Sequence, residues 1–227
     1  MLNQRGSSGF RKIFIIILMM TGMNTLYSQT PEHFMLVFLT KSKDHILVED
    51  SHEIENEHLR TISRLADQGF LVNAGPFEGG GEILLLNTKS REETELLLSN
   101  DPAIRQGFFT TEILGWTLRY GGICDPQVPY EMTTYSFVRY TPANQIASYK
   151  TNVDLDMKAG HLKYIEKLML TGKVVVEGFF AGNDGGIIIY QKDQLDELIS
   201  QDPAILEGYM KIETKTIWLN KGSFCEK

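Results

Sequence analysis

His58–Phe77 reads HLRTISRLADQGFLVNAGPF, and 103 residues later His161–Phe180 reads HLKYIEKLMLTGKVVVEGFF. Aligned without gaps, the two stretches share eight of twenty residues: His58/His161, Leu59/Leu162, Ile62/Ile165, Leu65/Leu168, Gly69/Gly172, Val72/Val175, Gly75/Gly178 and Phe77/Phe180. A second block follows each. Ser99–Gly107 (SNDPAIRQG) and Ser200–Gly208 (SQDPAILEG) agree at six of nine positions, at an offset of 101. The chain is therefore a tandem repeat, and each copy carries a histidine and an aspartate at matching places.

Periodicity gives the elements of one copy. Ile54, His58, Ile62, Leu65 and Ala66 recur at three- and four-residue steps, which predicts a helix from near Ser51. Gly69 ends it as a C-cap. Apolar runs at 34–40, 70–74 and 82–87 read as strands. Ser90 and Glu93 have capping-box spacing for a second helix that stops before Asp101-Pro102. A closing strand spans 108–118. In the second copy the strands fall at 134–140, 173–177, 187–190 and 209–219. The long helix spans 155–171, and Asp193 is expected to cap the shorter one. Trp116 and Trp218 occupy similar places in the closing strands, as packing residues. The order β-α-β-β-α-β is the ferredoxin-like unit.

The domains are thus 32–120 and 134–222, joined by a linker at 121–133 that contains glycine and two prolines. A four-stranded sheet with both helices on one face leaves its other face uncovered. Packing two such faces together stabilises the pair by several kcal/mol at ~25 cal/mol per Å² of apolar area. One chain supplies both halves, so a monomer with an intramolecular pseudo-dimer is expected.

Residues 1–28 have the layout of a signal peptide. Arg5, Arg11 and Lys12 precede the apolar run Ile13–Met20, and the segment then turns polar up to Ser28. Cleavage there would leave Gln29 first and no membrane span, because the apolar run is short of the ~20 residues a spanning helix needs. The expected location is exported, periplasmic or extracellular. Cys124 and Cys225 lie eight residues after Trp116 and seven after Trp218. Either they form one disulfide or they remain two thiols in loose tails.

The net charge of −7, with no basic block, argues against a nucleic-acid partner. No metal-ligand spacing and no nucleophile motif is present, so neither a metal nor another cofactor is expected. The candidate chemistry rests on His58, His161, Asp101 and Asp202. Each histidine lies four residues before an isoleucine and seven before a leucine, on the sheet-facing stripe of its helix or at its edge. It either acts as an acid–base group or packs over the sheet. Each Asp-Pro forms a good N-cap, with proline at N1. The carboxylate can cap, orient its histidine, or do both.

Together, H-L-x-x-I-x-x-L, the glycine-punctuated strand, S-x-D-P-A-I-x-x-G and a closing strand with Trp resemble the YCII-related domain, in two copies. The resemblance implies ferredoxin-like units packed as a pseudo-dimeric α+β barrel, with His58/Asp101 and His161/Asp202 as active-site pairs. It implies proton-transfer or lyase chemistry only loosely. Gly-Pro-Phe in the first copy becomes Gly178-Phe179-Phe180 in the second. If one copy alone is active, the first is expected to be the one. Two functional readings stand: a cofactor-independent enzyme on a small organic substrate, lyase- or isomerase-like, or an exported, non-catalytic module that binds a small ligand or partner.

Overall fold

Alternation along the strands sorts the apolar residues onto two faces of one large sheet, seen in a computed structural model that describes residues 32–42, 51–125, 129, 131–143, 152–182 and 185–225. The signal-like segment lies outside the described residues. The first half runs β1 (His33–Lys41), α1 (Ser51–Asp67), β2 (Leu71–Pro76), β3 (Glu82–Leu86), α2 (Arg91–Leu98), α3 (Pro102–Arg105), β4 (Phe109–Tyr120) and β5 (Gly122–Ile123). The second runs β6 (Met132–Pro142), α4 (Asn152–Met169), β7 (Val174–Phe180), β8 (Gly186–Gln191), α5 (Asp196–Ile199), α6 (Pro203–Leu206), β9 (Met210–Asn220) and β10 (Phe224–Cys225). The chain is thus mixed α+β, with an eight-stranded antiparallel sheet in the order β2-β3-β1-β4-β7-β8-β6-β9. No helix among the described residues is long and apolar enough to cross a membrane.

Local signals explain the element ends. At the end of α1, Gly69 adopts φ 75° and Phe70 N–H reaches back to Leu65 C=O, closing the last turn. At the start of α2 the Ser90 hydroxyl accepts from Glu93 N–H. The Glu93 carboxylate, however, accepts from Lys89 N–H, one residue before the cap of an ordinary capping box. The expectation for Asp193 is corrected. It sits in a turn at φ 60°, and α5 starts after Leu195, which makes no side-chain cap.

The sheet faces define three apolar clusters. Val37, Leu39, Ile54, Leu65, Leu84 and Leu86 pack beneath α1 and α2. Val138, Ile165, Leu168, Val174 and Ile188 do the same beneath α4. The third cluster draws on both halves of the sheet, with Leu36, Phe38, Trp116, Phe137, Phe180 and Ile217 among its members. In it Phe137 packs edge-on against Phe38 and Phe77, at 6.1 and 5.0 Å between ring centroids.

Two junctions join the halves, and their partners correspond. β4 pairs with β7 through Trp116↔Phe180, and Phe77 bridges Ile217. Ala181 N–H donates to Gly115 C=O, and Glu78 N–H to Thr216 C=O. Phe180 and Ala181 lie 103 residues after Phe77 and Glu78, and Ile217 and Thr216 lie 101 after Trp116 and Gly115. A Cβ on Gly75 would lie 2.3 Å from Trp218 O, and one on Gly178 would lie 2.5 Å from Thr117 O. Close approach of a neighbouring strand explains why both copies keep glycine here.

The junctions also correct the pairing of the tryptophans. Phe34 faces Trp116 and Tyr135 faces Ile217, so the counterpart of Trp116 is Ile217 and not Trp218. Trp116 is 1 % exposed and Trp218 is 45 % exposed, because one step along a strand turns a side chain to the other face. At this offset Cys124 and Cys225 are equivalent. They form a disulfide with Cα atoms 5.8 Å apart, beside the β5–β10 pairing.

Candidate functional site

Asp101 and Asp202 each do two jobs at the start of a one-turn helix. Asp101 Oδ1 accepts from the N–H groups of Ala103 at 2.9 Å and Ile104 at 3.3 Å. Its Oδ2 lies 2.8 Å from His58 Nδ1. In the second half Asp202 Oδ1 accepts from Ala204 N–H at 2.9 Å, and Oδ2 lies 2.7 Å from His161 Nδ1. Capping and holding the imidazole therefore coexist, one oxygen for each. Both aspartates are fully buried, so each ring is held at Nδ1 by a carboxylate shielded from water. The sequence had left these roles open.

The two sites diverge at Nε2. His58 Nε2 lies 2.5 Å from Glu82 Oε1, at the first residue of β3. The ring is 3 % exposed, with the Phe109 ring tilted against it at 5.2 Å. Burial by itself pulls the His58 pKa down, but the hydrogen bonds to Asp101 and Glu82 outweigh it and raise the value from 6.5 to about 9. His58 at neutral pH is an imidazolium clamped between two carboxylates. Neither ring nitrogen is available to a substrate.

In the second half the pairing Tyr140↔Gly186 stands where the first has Leu39↔Glu82. Gly186 offers no carboxylate, and a Cβ there would come within 2.4 Å of Gly178 O. His161 Nε2 consequently has no hydrogen-bond partner among the described residues. The ring lines a cavity of about 450 Å³, with Arg119, Lys158, Leu162, Phe179 and Tyr209 among its walls. Against the expectation that favours the first copy, its histidine is sealed by Glu82, and the histidine of the second opens on a cavity.

Three further residues shape this second site. Tyr140 packs edge-on against His161 at 5.2 Å between centroids, and its buried hydroxyl has no partner among the described residues. Burial first, then the negative charge of Asp202, pushes the phenol well above its ordinary range. Arg119 reaches the cavity from β4, across the junction between halves. The β4–β7 register shifts between Leu118 and Tyr120, and such a bulge re-aims the side chain it carries. Arg119 Nε and Nη2 donate to Glu177 Oε2 and Oε1 at 2.8 and 2.7 Å. Glu177 is buried on β7. Desolvation lifts its pKa, and the Arg119 guanidinium opposes that rise.

Sequence reasoning missed Glu82, Tyr140, Arg119 and Glu177. A signal for two of them was present. At the 103-residue offset Glu177 matches Ala74, a charge inside the apolar run VVVEGFF. Glu82 begins a strand where the second copy has only glycine. Arg119 and Tyr140 gave no such signal, since their roles depend on pairing between distant strands. Among the described residues, no group of three or more His, Cys, Asp or Glu forms a metal-ligand set.

No family model matches this chain. No curated protein matches it either. Among solved structures, a candidate monooxygenase of Fusobacterium nucleatum aligns over 86 % of this chain and 94 % of its own, at 9 % identity and a TM-score of 0.50. A candidate monooxygenase of Lactobacillus acidophilus aligns over 83 % and 93 %, at 13 % identity and TM-score 0.43. A haem-binding protein of Thermus thermophilus aligns over 86 % and 94 %, at 12 % identity and TM-score 0.46. The Fusobacterium likeness is one of fold, extending over most of both chains.

Proposed function

We propose that this protein is an exported, single-chain member of the YCII-related group, and an acid–base catalyst acting on a small organic molecule at His161 and Asp202. In this reading the domains 32–120 and 134–222 are ferredoxin-like units that form a pseudo-dimeric α+β barrel. The matched contacts at the two junctions support it, as does the apolar cluster drawn from both halves. The Cys124–Cys225 disulfide fits an oxidising compartment.

One observation carries the catalytic assignment: a histidine held at Nδ1 by a buried carboxylate and facing a cavity with the rest of its ring. With Nδ1–H donated to Asp202, the neutral ring presents its lone pair at Nε2. That atom takes a proton from a C–H or O–H of the bound molecule and returns it to another position or to a leaving group. The passing imidazolium is stabilised by Asp202. The outcome is an isomerisation or an elimination. The first pair, His58 with Asp101, is a structural tie in the same framework.

The test is solvent exchange. The full chain is incubated in D2O with a panel of enolisable keto acids and hydroxylated aromatic acids, and deuterium uptake is followed by proton NMR. The expected result is exchange into at least one compound, reduced about 10²-fold or more in His161→Gln. Exchange that survives His161→Gln at the wild-type rate sinks the assignment. Exchange by no member of the panel, together with no ligand density beside His161 in soaked crystals, favours the non-catalytic interaction module.

A further inference from the structure

We propose that the cavity beside His161 takes an organic anion with an apolar body, and that Arg119 is the residue that anchors its carboxylate. The inference deepens the reading of His161 as a ligand site and rests on it. The described charged residues on the cavity wall are Arg119 and Lys158, with the imidazole of His161 beside them and no aspartate or glutamate. The other described walls include Met157, Leu162, Phe179 and Met210, which suit an aromatic or aliphatic body. Cations on one side and apolar surface on the other make the complement of an amphipathic carboxylate.

Arg119 is prepared for this task. Glu177 takes up Nε and Nη2 in a two-pronged pair, which fixes the plane of the guanidinium and leaves Nη1 uncommitted among the described residues. A guanidinium fixed in this way loses little freedom when its remaining donors meet an oxygen. Glu177 is therefore a positioning residue, holding the arginine that touches the ligand.

The first half shows what the same framework does without this purpose. At the offsets established by the strand register, Arg119 corresponds to Asn220, Glu177 to Ala74 and Lys158 to Glu55. Glu82 adds a carboxylate directly on His58. Every one of these differences removes a positive charge or the support of one, or adds a negative charge. Among the described residues, the contrast in charge follows the contrast in access: the open site is the more basic one.

Benzoate and its neutral isostere benzamide, titrated calorimetrically into the full chain, test the inference. Wild-type protein is expected to prefer benzoate by about tenfold or more, the range of one charge-assisted hydrogen bond. Arg119→Met is expected to bring the ratio close to one while benzamide binding persists. Because Arg119→Met strands Glu177 in a buried place, the double variant Arg119→Met with Glu177→Leu removes both charges and serves as the folded comparison. Arg119→Lys is expected to restore part of the preference. Equal binding of the two probes, a preference that survives in both Met variants, or no benzoate binding overturns the inference. The catalytic reading fails separately: His161→Gln then leaves exchange intact, whatever the benzoate ratio.

Discussion

The two histidine sites are built by one device and end in opposite states. Each uses an Asp-Pro turn, with one carboxylate oxygen for the cap and the other for Nδ1 of a helix histidine. What separates them lies on the strands, where Glu82 faces His58 and Gly186 stands in the matching place beside His161. The lesson is that a repeated motif identifies a framework, and the neighbouring strand decides whether the framework is a tie or a site. The histidine with the more complete hydrogen bonding is the one with no ring nitrogen left for a further partner.

The comparison rests on the strand register, so the largest expected effect tests it. Trp116→Ala is expected to cost about 3–5 kcal/mol, because it empties a large volume in the cluster shared by both halves. Trp218→Ala, at the similar-looking position, is expected to change stability by no more than about 0.5 kcal/mol. Urea unfolding of the two variants measures both. Equal losses would mean that the offset of 101 in the closing strands is wrong, and with it the match of Arg119 to Asn220.

Next comes the sealed site itself. Asp101→Ala removes a cap and one of the two carboxylates that hold the buried His58 imidazolium, at an expected cost of about 3–5 kcal/mol. Asp202→Ala removes a cap and an imidazole partner where no second carboxylate clamps the ring, so about 1–3 kcal/mol is expected. A loss at Asp202 as large as that at Asp101 would break the distinction between tie and site.

The pH dependence follows from the same clamp. His58 has a pKa of about 9 in the folded chain against 6.5 for the ordinary side chain. The folded state therefore binds the proton more tightly. Its stabilisation is fully present below about pH 6.5 and is lost as pH rises through about 9, on the order of 3 kcal/mol at 1.36 kcal/mol per unit. Glu82→Gln is expected to shrink that loss, since only Asp101 then holds the imidazolium. Denaturation midpoints from pH 6 to 10 for wild type and Glu82→Gln measure it. Identical profiles would show that Glu82 does not bind the proton on His58.

The order of the elements, the two histidines and the two Asp-Pro caps were legible in the sequence because helix periodicity, glycine stops and caps are local signals, whereas the hydrogen bond from each aspartate to its histidine was left open. Equivalence of the copies was legible as well, although it pointed to Trp218 where the strand register points to Ile217. The decisive residues were less accessible. Arg119 serves the second half from a strand of the first, and its direction depends on a bulge opposite Glu177 and Gly178. Glu82 reads as the polar start of a strand until β1 and α1 bring it over His58. Tyr140 reads as one more strand aromatic. Contacts between strands far apart in sequence leave no periodicity to read.

The smallest expected effect concerns Tyr140, whose hydroxyl is buried beside His161 without a partner among the described residues. The matching residue in the sealed site is Leu39, so a hydroxyl is not required by the framework. A buried hydroxyl that makes no hydrogen bond lowers stability, and Tyr140→Phe removes it with little change in shape. The variant is expected to gain up to about 1 kcal/mol in urea unfolding. If the hydroxyl meets a ligand atom, the same variant also binds benzoate more weakly, although its apolar walls are unchanged. More stable but weaker in binding is the signature of a group kept for function at the expense of the fold. A Tyr140→Phe chain that is less stable than wild type would instead make the hydroxyl part of the support for His161, and the second site would then resemble the first more closely than its open cavity suggests.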